Sequence, residues 1–171
     1  MKSILRVLGA TTAAAVLCVV SPSAASASTE GGQSSLAAAR AGTAAYHDLS
    51  AVPADYVPFL PCLSSSEGGM GKHFVDFGAV MDATEDAAHP EALVYAETST
   101  GYRLVAVEYI VPAALVPDPQ NPPSLFGQPF TEELVPGAGD LYVLHAWIWN
   151  TNPEGMFKDW NPDLVSCSQT G

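Results

Sequence analysis

Ala92-Leu93-Val94-Tyr95-Ala96-Glu97 and Arg103-Leu104-Val105-Ala106-Val107-Glu108-Tyr109-Ile110-Val111 are two runs rich in β-branched and aromatic residues, joined by Thr98-Ser99-Thr100-Gly101-Tyr102. Such runs, broken by a short polar link containing glycine, spell an antiparallel hairpin. With Thr100 at the centre of the turn, facing positions sum to 200, which pairs Ala92 with Glu108 and Glu97 with Arg103. The second pair reads as an exposed cross-strand ion pair. Lys72 to Phe77 and Leu141 to Asn150 have the same character and add further strands. The core is therefore an antiparallel sheet or a small barrel.

Upstream, Ser35 to about Ala51 is rich in alanine, with Leu36, Tyr46 and Leu49 as its larger apolar side chains and Pro53 just beyond. This predicts an N-terminal helix whose thin apolar stripe packs on the outside of the sheet. Val111 to Pro136 carries seven prolines, and Pro117, Pro119, Pro122 and Pro123 crowd a stretch that no central strand tolerates. The predicted class is α+β, with the helix packed on an antiparallel sheet or small barrel and a long proline-rich loop.

The start of the chain carries an address. Lys2 and Arg6, an apolar run from Val7 to Val20 and the small residues Ala25-Ser26-Ala27 make residues 1–27 a secretory signal peptide. Residues 28–34 then form a small, polar, disordered leader, and 35–171 a single globular domain. The apolar run is too short for a permanent anchor, so no stable membrane anchor is expected and the protein is read as secreted and extracellular. Once the signal is removed, Arg40, Lys72, Arg103 and Lys158 face eighteen acidic residues, for a formal charge of −14. So acidic a surface repels phosphate backbones and anionic lipid, which argues against nucleic acid as a partner. A small-molecule or protein partner is left open. The two remaining cysteines, Cys62 and Cys167, are expected to pair outside the cell, which stabilises the fold by roughly 4 to 5 kcal/mol in the chain-entropy account.

Chemistry has few carriers. Of four histidines, His89 precedes Pro90 in a polar loop and is read as solvated, while His47 sits on the helix surface beside Asp48. His73 shares a strand face with Val75 and Phe77, and His145 one with Val143, Trp147 and Trp149. Glu108 shares its face with Leu104, Ala106 and Ile110. A carboxylate among apolar side chains must pair, bind a cation or take a proton. His73, Glu108 and His145 together suit a divalent transition ion, whether zinc, copper, iron or manganese, with open positions left for water or substrate. The same three residues also fit a buried hydrogen-bonded cluster without metal. Gly68, Gly69 and Gly71 permit positive φ or close approach of another segment, and either would tuck His73 inward. The chain has no G-x-S-x-G elbow, and nothing singles out two acids for glycoside hydrolysis.

These residues carry a resemblance. Gly-Met-Gly-Lys-His-Phe-Val-Asp (69–76), Pro-Glu-Ala-Leu-Val-Tyr (90–95), Val-Glu-Tyr (107–109), Leu-Phe-Gly (125–127), Leu-His-Ala-Trp-Ile-Trp (144–149), Asn-Pro-Glu-Gly-Met-Phe (152–157) and Trp-Asn-Pro (160–162) resemble a family of secreted actinobacterial proteins without an assigned activity. Over 69–115 there is a more distant similarity to the TTHB210-like domain. The resemblance implies one secreted domain and adds no reaction; the family pattern often has Asn where this chain has Asp76. The function expected is a secreted domain of unassigned activity that binds a transition metal. The alternatives are a metal-dependent extracellular enzyme, either a hydrolase or an oxygen-using one, and a protein-interaction module using the 111–136 loop.

Overall fold

The computed structural model describes residues 24–164, and within them a curled antiparallel sheet, a half-barrel, is joined by one long helix. The strands are β1 (Tyr56–Ser65), β2 (Gly68–Asp76), β3 (Ala92–Thr98), β4 (Gly101–Pro112), β5 (Ser124–Leu125), β6 (Gln128–Pro129), β7 (Thr131–Val135) and β8 (Gly139–Ala146). Six of them share one sheet in the order β1-β2-β3-β4-β8-β7, and β5 and β6 make a separate small hairpin. Among the described residues no helix is long and apolar enough to cross a membrane. The α+β class and the helix on an antiparallel sheet are as the sequence predicts.

Helix α1 (Ala24–Thr43) is followed by two short 3-10 turns, Ala44–His47 and Leu49–Ala51. The helix thus ends before the predicted Ala51, and 28–34, expected as a leader, lies within it. Leu36 and Ala39 join the core on one sheet face beside Leu93, Tyr95, Tyr109 and Leu144. The Thr43 hydroxyl donates to the Ala39 carbonyl at 2.7 Å, and the Tyr95 hydroxyl to the Tyr46 carbonyl at 2.6 Å, pinning the end of the helix to the sheet.

The opposite face is closed by two other pieces. Helix α2 (Phe77–Asp82) brings Val80 against Val75, Ala92, Ile110, Leu141 and Val143. The Asp76 carboxylate starts it by accepting from the amides of Gly78 and Ala79. Farther along, the segment after β8 lays Trp147 and Leu164 over Val94, Ala96, Val105 and Ala106. Gly69 and Asn161 exchange two backbone hydrogen bonds of 3.1 and 3.0 Å, which tie that segment to β2. Gly68 has φ +139°, and a Cβ there would lie 2.3 Å from the Asn161 carbonyl oxygen. This is the close approach expected of the glycine run.

Four further details differ from the sequence prediction. The hairpin pairs Ala92 with Glu108, Leu93 with Val107 and Val94 with Ala106, but beyond Val94 it shifts, so that Tyr95 faces Leu104 and Glu97 faces Tyr102. Val105 is the extra residue of a β-bulge, and Arg103 stands opposite Ala96, donating from Nη1 to Asn150 Oδ1 at 3.0 Å. Strand β8 stops at Ala146 because the amide of Trp147 turns to the Met156 carbonyl. Phe77 begins α2 rather than ending β2. The stretch 111–136 is not one long loop: the short β5-β6 hairpin and the edge strand β7 occupy its second half. Only 116–123, which holds the crowded prolines, keeps the irregular character.

Candidate functional site

One row across the sheet runs Val75, Ala92, Glu108, His145 on β2, β3, β4 and β8. His73 lies two residues along β2 from Val75, opposite Val94, and so on the same face. Because Ala92 and Val94 are all that separate them on β3, His73 reaches Glu108, with 3.6 Å between Nε2 and Oε2. That distance is a contact and not a hydrogen bond. The His73 and His145 rings are 6.1 Å apart between centroids, and His145 packs on Trp147 at 4.7 Å. The three residues singled out by the sequence are thus gathered on one face. The bulge moves Leu104 to the other face, so Glu108 keeps Ala106 and Ile110 as neighbours but not Leu104.

Burial decides the charge state of the cluster. His73 is 4% exposed and His145 2%, while the Glu108 side chain is 14% exposed. Loss of water pushes the His73 pKa down to about 4. Burial first, and then the neighbouring His73, hold His145 well below the usual imidazole range. Burial first, and then the negative charges of Glu133, Asp159 and Glu91, push Glu108 up to about 8. At neutral pH the trio is two neutral imidazoles and a carboxylic acid. Three of the imidazole nitrogens, His73 Nδ1 and both nitrogens of His145, are buried with no hydrogen-bond partner among the described residues.

Three acids that sequence reasoning passes over shape this place. Glu91, only 2% exposed, accepts from the Ile110 amide at 3.0 Å and so satisfies a β4 donor beyond the end of β3. Desolvation raises its pKa to about 7. Glu133, opposite Leu141 on β7, and Asp159, on the closing segment, are both raised by burial and lean electrostatically on Glu108. The only hint of Glu91 in the sequence is its position between Pro90 and an apolar strand. Glu133 and Asp159 carry no local signal at all.

The other expected residues fall elsewhere. His89 is exposed and pairs with Asp86 at 2.7 Å. His47 is exposed and meets the Trp149 ring at 4.5 Å between centroids. Cys62 is disulfide-bonded, and Cys167, its expected partner, lies outside the described residues, as does most of the expected signal peptide. Among the described residues, no three His, Cys, Asp or Glu side chains stand in an arrangement that could hold a metal ion as they are now placed. Compared with known protein families, characterised proteins and solved structures, the chain matches none.

Proposed function

We propose that this is a secreted domain that binds one divalent transition ion, zinc, copper, iron or manganese, through His73, Glu108 and His145. The observation that carries the proposal is three buried imidazole nitrogens without partners beside a carboxyl group on which three other acids impose a negative field. Each such nitrogen costs about 1 to 3 kcal/mol while it lacks a partner. A cation answers the field and takes up one of the two His145 nitrogens, while His73 would bind it through Nε2. Two ligand atoms on one tetrahedral ion stand about 3.4 Å apart for bonds near 2.1 Å. His73 Nε2 and Glu108 Oε2, at 3.6 Å, are already close to that spacing. His145 must turn or advance to complete the set, and Glu108 must give up its proton.

Elemental analysis of protein purified without a metal-affinity tag tests this. The expected result is near-stoichiometric zinc, copper, iron or manganese in the wild type and loss of it in His73→Ala, Glu108→Ala and His145→Ala. A wild type that takes up none of the four on incubation leaves the trio as an internal polar cluster of the fold. A second reading, a metal-dependent extracellular hydrolase or oxygen-using enzyme, draws on the residual exposure of Glu108, through which water or substrate could reach a bound ion. A coordination position held by exchangeable water would favour it.

A further inference from the structure

Arg40 lies in the last turn of α1, where a cation offsets the negative end of the helix. Its Nε donates to the Ile148 carbonyl at 3.3 Å, which fixes the plane of the guanidinium against the segment that follows β8. Among the described residues its two terminal nitrogens have no carboxylate partner, in a chain with a formal charge of −12. Arg40 lines a cavity of about 330 Å³ together with Trp147, Trp149, Asn150, Thr151 and Met156. The Trp149 ring is held in place there: its Nε1 donates to Thr43 Oγ1 at 3.0 Å, and His47 packs against it nearly at right angles. Arg103 and the Thr151 carbonyl likewise hold the Asn150 amide.

The geometry points to a binding site for a small organic anion, its carboxylate on the two terminal nitrogens of Arg40 and its flat body against Trp149. A planar guanidinium matches a carboxylate with two parallel hydrogen bonds, and the indole supplies the apolar wall. The volume is within the range of small-ligand pockets. Offsetting the helix end would account for the position of Arg40, but not for a cavity that Arg40 lines together with a pinned tryptophan. The site uses none of the proposed metal ligands, although Trp147 in its wall packs on His145.

The test is a titration of ¹⁵N-labelled protein with sodium benzoate and, separately, sodium glucuronate, at ionic strength held constant with sodium chloride. The Trp149 indole and Arg40 Nε signals are followed. Saturable shifts of both signals with at least one probe are expected, together with about a tenfold or greater loss of affinity in Arg40→Gln. If Arg40→Gln does not fold, Arg40→Lys keeps the charge but not the fork, and the same loss is expected. Shifts that fail to saturate with either probe, or a variant that binds as tightly as wild type, overturn the assignment.

Discussion

His145 carries both ring nitrogens into the interior without a hydrogen-bond partner among the described residues, and desolvation keeps the ring neutral. A side chain in that condition weakens the metal-free fold. Replacing it with an apolar residue of similar size removes the two unsatisfied atoms along with the interaction they await. His145→Leu is therefore expected to raise the stability of the metal-free protein by about 1 to 3 kcal/mol in urea denaturation, while abolishing ion uptake. A loss of stability of that size would mean that the nitrogens are already satisfied. At this scale the sequence was informative where a residue contradicts its surroundings: Glu108 between Val107 and Tyr109 is visible as a carboxylate in an apolar run. Glu91 was not legible, because its role depends on where β3 ends relative to the Ile110 amide, a distance set by the pairing of strands.

At the scale of elements, the β3-β4 hairpin and its far register follow from composition, whereas the bulge at Val105 does not. Leu104 to Val107 is apolar at every position and buried on both faces, so alternation cannot fix which side each residue takes. Strand β1 is hidden for a related reason. Pro58 and Pro61 argue against a strand, yet β1 is at the sheet edge, where proline is tolerated, and its pairing with β2 slips between Phe59 and Leu63. The docking of α1 gives an element-scale prediction. Alanine in place of a helical glycine ordinarily stabilises by up to about 1 kcal/mol. At Gly42, however, a Cβ would fall 2.1 Å from the Ala88 carbonyl oxygen, a backbone atom that cannot easily give way. Steric conflict wins, and Gly42→Ala is expected to destabilise by about 2 kcal/mol, read from the midpoint of chemical denaturation. A variant more stable than wild type would show that α1 does not sit this close to the 83–91 connection.

For the whole molecule, the buried groups set how stability varies with pH. Between about 4.5 and 6.5 two tendencies oppose each other. The unfolded chain binds protons at His73 and His145 that the folded chain refuses, and the folded chain retains protons on Glu108 and Glu91 that the unfolded chain releases. Above about 6.5 the histidine contribution fades and the carboxyl groups dominate. Glu108 titrates near 8 when folded, so ionising it in place opposes folding, and the metal-free protein loses on the order of 2 kcal/mol between pH 6.5 and 8. On the proposed reading, an ion bound to the cluster would replace the Glu108 proton and remove most of that loss.

The measurement that tests the metal site most directly is urea denaturation from pH 6.5 to 8, on metal-free protein and again with zinc, copper, iron and manganese each added in turn. Stability that falls with pH without metal, and is raised and nearly level with one of the four, is the predicted result. A curve that none of the four ions changes would contradict the site.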